Sequence, residues 1–324
     1  MNKNDIMLDN LAFVFPGQGS QSVSMLSDII ATYDKAKKIL NIANEILEFD
    51  LENIINNNPD NLLNLTEYTQ PVMLVADYIM WQYWCDHTPW RPKLMAGHSL
   101  GEYMTLIAAE VISFTDALFL ITKRAKFMQQ AVDNGAMAAI VSLNLATVEK
   151  ICQQISQDND FVAVANINSA TQIVISGHNN AVEKVIFQAK QQGAKIAKKI
   201  AVSVPAHCKL LQNAAEKFTT YLTKITFKKP QISIINNANL NILTDIQDIK
   251  NSLMQQIYSP VNWLETINIM TTSNIKMIVE CGPNKILTAQ NKRINREIIC
   301  IALNSVKSLD LIKEHIAKDL MHVI

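Results

Sequence analysis

The sequence lacks a surplus of either charge: 29 Lys and Arg stand against 29 Asp and Glu in 324 residues, a formal net charge of zero. No global field therefore draws the chain onto nucleic acid or an anionic membrane, and neither is expected as a partner. It also lacks any run near the roughly 20 apolar residues that a bilayer-spanning helix needs. The opening MNKNDIMLDN has no long apolar core, so a protein without a secretory leader is expected. Cysteine is sparse: the 5 residues Cys85, Cys152, Cys208, Cys281 and Cys300 are scattered and never in a CxxC pair. That argues against a disulfide framework or a zinc site and for reduced thiols in the cytoplasm. No internal repeat is visible.

What is present is a globular composition, 49% hydrophobic and 18% charged, with length for one large domain and a smaller second one. LAFVF (11–15), KLMAG (93–97), QISII (231–235), KMIVECG (276–282) and EIICIAL (297–303) are short apolar runs closed by turn signals. Long helical segments separate them, the pattern of an α/β fold with a mainly parallel sheet covered on both faces. Residues 135–202 follow a different grammar. GAMAAIVSL reads as a strand, ATVEKICQQISQ as a helix, FVAVANINS and TQIVISG as two strands, NNAVEKVIFQAKQQG as a helix and AKIAKKIAV as a last strand. The order βαββαβ predicts a ferredoxin-like domain inserted at 134–202. The large domain then comprises 1–133 and 203–324, resuming near Ser203. The asparagine-rich NIINNNPDNLLN (53–64) reads as a solvated loop.

Gly97-His98-Ser99-Leu100-Gly101 fits a nucleophile elbow, a sharp strand-to-helix turn that lifts a serine hydroxyl above a sheet. An apolar strand precedes it and the helical LGEYMTLIAAE follows, so the required context exists. The amide of Leu100 falls at a helix N-terminus, where a free N–H can hold a developing oxyanion. Serine needs a base. His98 should point away from its neighbour; His87 and His178 lie in polar turns, and His315 and His322 in a C-terminal helix. His207, in SVPAHCKLL, sits where an extended segment gives way to a helix, and spacing alone leaves it only just ahead. Cys208 beside it reads as a small buried hydrophobe. An elbow hydrolase carries its acid between serine and histidine, yet Asp133, Asp158, Asp160 and Glu183 are not convincingly placed there. That gap tells against a lipase or esterase.

In TDALFLITKRAKFMQQAV (115–132), Leu120, Arg124 and Met128 recur every fourth residue and share one stripe beside the apolar face. An arginine there needs an anion, either a structural Asp or Glu or a substrate carboxylate gripped by its planar fork. The GQGS turn after the first strand lacks the lysine of a phosphate loop and the GxGxxG of a dinucleotide fold. A backbone donor facing the elbow is its better use.

FVFPGQGSQ (13–21), TQPVML (69–74), AGHSLGEY (96–103), KRAKFMQQA (123–131), NINSATQIVISG (166–177), VSVPAHC (202–208), YSPVNW (258–263) and VECGPNKILT (279–288) occur in one order over nearly the whole chain. Together they resemble the malonyl-CoA:acyl-carrier-protein transacylases of fatty-acid synthesis. The resemblance implies a hydrolase-like large domain with the active site between it and the insert. It implies Ser99 as nucleophile, His207 as base oriented by the main-chain carbonyl of Gln256, and the amides of Gln18 and Leu100 as oxyanion hole. It further implies Arg124 on the malonyl carboxylate, with Gln70, Met128, Asn166 and Gln172 on the substrate side. Malonyl-CoA is then the donor and the phosphopantetheine thiol of acyl carrier protein the acceptor. No metal or other cofactor is implied, and a cytoplasmic monomer is expected.

Two positions depart from the family pattern. Ala206 replaces a common serine before the histidine, and Ile196 replaces a common basic residue. Lys195, Lys198 and Lys199 are near enough to meet coenzyme A phosphates or an acidic carrier, or simply form a solvated strand face. The alternatives are an acyltransferase of a polyketide pathway, a serine thioesterase or esterase, and an idle carrier-binding module. The abundance of Asn, Ile and Lys suggests an A·T-rich, bacterial genome.

Overall fold

Alternation along one strand organises the large unit. In the computed structural model, which describes residues 5–202 and 204–321, β1 (Ile6–Phe15) is wholly buried from Leu11 onward. Leu11, Phe13 and Phe15 enter one apolar cluster while Ala12 and Val14 enter another on the opposite face. A strand buried on both faces belongs at the centre of a parallel sheet. β1 indeed pairs in parallel with β2 (Trp90–Gly97) on one side and β9 (Met277–Cys281) on the other. With β7 (Ser233–Ile235), β8 (Ile242–Leu243) and β10 (Ile299–Leu303), the sheet order is β10-β9-β1-β2-β7-β8. Only the β7–β8 pairing in this sheet is antiparallel.

The helix Thr66–His87 covers the Phe13 face and is itself buried nearly all round. Phe13 meets Trp81 edge-on at 5.5 Å and Trp84 at 4.9 Å between ring centroids. Rings so enclosed make Phe13→Ala a loss of about 3–5 kcal/mol. The register places Phe15 beside Gly97. The turns that leave β1 and β2 therefore emerge side by side at the carboxyl edge of the sheet, where open α/β sheets build their sites.

A second, antiparallel sheet is formed by β3 (Gly135–Val141), β4 (Val162–Ser169), β5 (Gln172–His178) and β6 (Ile196–Lys199), in the order β4-β5-β3-β6. Helices Leu145–Ile155 and Asn179–Gln191 close one face over Ala138, Ile140, Ile173 and Ile175. On the other face Met137, Ala165 and Val174 pack with Ile200, Val202 and Ala206. Main-chain bonds stitch this sheet to the large unit: Ile167 N–H donates to Val261 O, and Val261 N–H to Ala165 O, each at 2.9 Å.

Residues 53–64 are not the loop their asparagines suggest. Leu51, Ile54 and Ile55 bury one stripe of a helix, Leu51–Asn57, whose first turn is capped by Asp50 accepting from Asn53 N–H. A 3₁₀ turn, Pro59–Asn64, follows and buries Leu63. The apolar spacing outweighs the local preference of asparagine for turns. The helix foreseen over 115–132 runs Phe114–Gln129, and the last strand of the insert covers only Ile196–Lys199. The expected resumption at Ser203, the terminal domain limits at 1 and 324, and His322 lie outside the described residues. Among those described, no helix is long and apolar enough to cross a membrane, and no cluster of His, Cys, Asp and Glu is arranged to hold a metal ion.

Candidate active site

Ser99 stands between β2 and the helix Gly101–Ala108 with φ at +55°. This is the left-handed region, which a residue with a side chain enters only when its surroundings hold it there. Gly97 permits the bend, because a Cβ on it would lie 1.9 Å from the main-chain carbon of Gly101. Gly17 lets the turn after β1 close on the same bend, since its Cβ would lie 2.6 Å from His98 O. Asn237, just beyond β7, clasps the bend from the other side. Its Nδ2 donates to Gly97 O and its Oδ1 accepts from Ser99 N–H, both at 2.7 Å.

His207 meets the serine. Its Nε2 lies 2.8 Å from Ser99 Oγ, and its Nδ1 lies 2.7 Å from Gln256 O. A carbonyl oxygen only accepts, so Nδ1 carries the proton and Nε2 turns its lone pair to the hydroxyl. Burial, helped by the nearby Arg124 charge, lowers the His207 pKa to about 3, so the imidazole is neutral and able to accept a proton. The other described histidines are engaged elsewhere. His87 and His315 bond main-chain carbonyls, and His178 accepts from Phe161 N–H. His98, expected to point away, does line the cavity, but its Nε2 contacts Asn168 Oδ1 at 3.1 Å rather than Ser99.

Arg124 is fully buried on the predicted stripe with Leu120 and Met128. Its Nη1 donates to Gln70 Oε1 at 2.7 Å. Its Nη2 donates to Gln256 Oε1 at 2.6 Å and to Ser99 Oγ at 3.1 Å. The guanidinium carbon lies 5.8 Å from the Tyr103 ring centroid. None of these partners is an anion, and among the described residues no salt bridge joins Arg124 to a carboxylate. A carboxyl is reached only through a relay: Gln256 Nε2 donates to Glu102 Oε2 at 2.7 Å. Burial raises the pKa of that carboxyl to about 7 against the opposing pull of its hydrogen bonds and Arg124.

Ser99, His207 and Arg124 line a cavity of about 80 Å³ between the two sheets. Gln18, Gln70, Leu100, Met128 and Asn166 border it, with Met137, Ile200 and Ala206 completing the apolar wall. The N–H groups of Gln18 and Leu100 donate to no acceptor within the described residues. Gln172 does not border the cavity; its Oε1 accepts from Arg293 Nη1 at 2.8 Å instead. Lys199 pairs with Glu183, and Asp160 with Lys184 at 2.7 Å, so neither acid serves His207. Cys208 is buried and its thiol pKa is raised by burial, as suits a packing residue. A larger groove of about 730 Å³ opens at the far end of β2. Its charges include the Arg91–Asp5 and Lys35–Asp86 pairs, at 2.8 and 3.1 Å.

Sequence reading missed Asn237, Glu102 and the side chain of Gln256. Glu102 offered one signal, an acid three residues beyond the candidate nucleophile. Asn237 offered another, a polar residue closing an apolar strand.

Comparison with known proteins adds an independent line. Residues 12–313 match the model of a family described as acyl transferase domain. The chain is 40% identical over 304 residues to the malonyl CoA-acyl carrier protein transacylase of Salmonella typhimurium, covering 93% of this chain and 98% of that protein. To the Bacillus subtilis protein of the same name it is 35% identical over 306 residues, 94% of this chain and 96% of the other. The crystal structure of FabD from Acinetobacter baumannii superposes with a TM-score of 0.92 at 38% identity, covering 96% and 99% of the two chains. A malonyl-transacylase solved in complex with a type II PKS acyl-carrier protein superposes at 0.90, with 38% identity over 93% and 97%.

Proposed function

The chain belongs to the acyl transferase domain family, and from that premise we propose that it carries malonyl from malonyl-CoA to the phosphopantetheine thiol of acyl carrier protein, through an ester on Ser99. The observation that carries the reading is Arg124: a fully buried cation whose Nη2 sits 3.1 Å from the nucleophile and which, among the described residues, has no carboxylate bonded to it. An acyl group on Ser99 that ends in a carboxylate supplies the missing anion.

The chemistry follows from the hydrogen bonds. Arg124 donates to Ser99 Oγ, which leaves the serine proton free to point at His207 Nε2. Oγ attacks the thioester carbonyl as Nε2 takes the proton, and the new oxyanion turns to the amides of Gln18 and Leu100. The C–S bond then breaks, and coenzyme A leaves with the proton from Nε2. The carrier thiol enters by the reverse steps and takes the malonyl group. Gln256 O fixes the imidazole in place of a triad acid. Losing one oxyanion donor costs ~10²–10³ in rate. A malonyl carboxylate on Arg124 also offsets the charge that adds to burial in depressing His207, so the right substrate strengthens its own base. Nothing in these steps draws on a cofactor.

We read the large unit as hydrolase-like, spanning 1–133 and 203–324, and the insert 134–202 as ferredoxin-like. The elbow after β2 supports the first assignment. The second is supported by a separate apolar cluster and by the order β4-β5-β3-β6. We propose a monomer. The free thiols of all 5 cysteines support a cytoplasmic setting. Asn166 belongs on the substrate side, where it borders the cavity. An acyl-CoA panel run with acyl carrier protein tests the function: malonyl should be transferred in preference to acetyl, with little hydrolysis. Release of malonate to water as the main outcome would favour a thioesterase.

A further inference from the structure

Glu102 is buried with an exposure of 0% yet belongs to none of the catalytic steps above. Its carboxylate is a hub. Oε2 accepts from Gln256 Nε2 at 2.7 Å and Oε1 accepts from Ser252 Oγ at 3.4 Å. Gln256, held in this way, is one of the two residues that grip the main chain of the strained serine. Asn237 Oδ1 takes Ser99 N–H at 2.7 Å, and Gln256 Nε2 gives to Ser99 O at 2.9 Å.

Gln256 has a further partner. An amide has one accepting end and one donating end. Anchoring its nitrogen to Glu102 and Ser99 O turns its oxygen to Arg124 Nη2, at 2.6 Å. A reversed amide would face Arg124 with a donor and push the guanidinium away.

We propose that Glu102 is a positioning residue for acyl-group selection, setting the amide of Gln256 and through it the Arg124 guanidinium over Ser99. The inference rests on the malonyl-transfer reading and deepens it. Glu102 touches no reacting atom; it acts by the reach of its acceptor oxygens. Two substitutions separate reach from charge. Glu102→Asp keeps the charge and withdraws the carboxylate by one methylene. Glu102→Gln keeps the reach and removes the charge.

The readout is the ratio of kcat/KM for malonyl-CoA to that for acetyl-CoA, in the presence of acyl carrier protein. A merely structural role lowers both substrates together and leaves the ratio alone. Glu102→Asp should lower the ratio about tenfold, the size of one lost buried hydrogen bond. Glu102→Gln should stay within about threefold of wild type, since a carboxamide oxygen still accepts from Gln256. An Asp variant with the wild-type ratio overturns the proposal, and so does a Gln variant that loses as much as Asp. Should Glu102→Asp not fold, Gln256→Met breaks the relay at its middle and leaves the main-chain carbonyl for His207. It should lose about tenfold in the ratio, and a wild-type ratio there overturns the proposal. A wild-type enzyme without malonyl preference would sink the clamp reading itself; a wild-type preference untouched by the variants sinks the Glu102 inference alone.

Discussion

Two buried ionisable side chains lie close to the carboxyl edge of the same parallel sheet, and the protein treats them in opposite ways. Arg124 has both terminal nitrogens bonded, to Gln70, Gln256 and Ser99. Asp77, on the helix Thr66–His87, is equally enclosed, against the Gly282 and Pro16 turns, yet neither of its oxygens has a hydrogen-bond partner among the described residues. The carboxyl has an escape that the guanidinium lacks. Burial, reinforced by Glu280, drives the Asp77 pKa well above its usual range, so it is held as the neutral acid. Arginine stays charged at any accessible pH, so its charge must be met by neighbours or by a ligand. A buried carboxyl without partners is therefore weak evidence of function. A buried arginine held only by neutral groups beside a strained nucleophile is strong evidence.

If that contrast is right, changes around Arg124 move chemistry and changes at Asp77 move stability. The largest effect is expected at the base. His207→Ala should cut malonyl transfer by about 10³–10⁴ or more, with the folded state intact by circular dichroism. Retention of most of the rate would detach His207 from catalysis.

Next comes Arg124→Ala. An acetyl group leaves the wild-type guanidinium unpaired in a closed site, at roughly 3–5 kcal/mol, or on the order of 10²–10³ in preference. Removing the cation should abolish that preference, with acetyl transfer kept or increased. A variant that still favours malonyl by the wild-type ratio would break the clamp assignment.

The Asp77 side of the comparison is smaller and concerns pH. A carboxyl whose pKa is raised by folding binds its proton in the native state and releases it in the unfolded one. Its contribution is complete below the unfolded value of about 4 and is lost as pH rises toward the folded value. Asp77→Asn should thus raise the melting temperature at pH 8 by more than at pH 5, with malonyl transfer unchanged. Equal shifts at both pH values would mean that Asp77 is ionised in the fold.

His207 contributes with the opposite sign. Its folded pKa, near 3, lies below the unfolded value of about 6.5, so stability falls as pH drops between those values. His207→Asn should flatten that acid limb and leave the alkaline limb to Asp77. A thermal-melt series over pH for the two variants checks both limbs at once.

What was legible in the sequence was local. The elbow is one strand, one bend and one helix, all within Trp90–Ala108, and Leu120, Arg124 and Met128 announce themselves by recurring every fourth residue. The continuous apolar run LAFVF, read as part of a sheet covered on both faces, was legible for the same reason. The supports of the site were not. Asn237 lies 138 residues from Ser99 and Gln256 lies 157 from it, and both come from segments whose own patterns carry no trace of the serine. Only the sheet order, with β7 next to β2, brings Asn237 to the bend. Composition misled at 53–64, where exposed asparagines masked the Leu51, Ile54 and Ile55 stripe. Gln172 was placed with the substrate by its block, yet β5 turns it to Arg293.

The claim beneath the whole account is that malonyl rests on Ser99 before any acceptor arrives. The direct measurement is the intact mass of the protein after mixing with malonyl-CoA alone, followed by peptide mapping. One added malonyl group is expected, located on Ser99, absent from Ser99→Ala and discharged when acyl carrier protein is added. A wild-type enzyme that loads carrier protein at full rate while never showing an acylated form would contradict it.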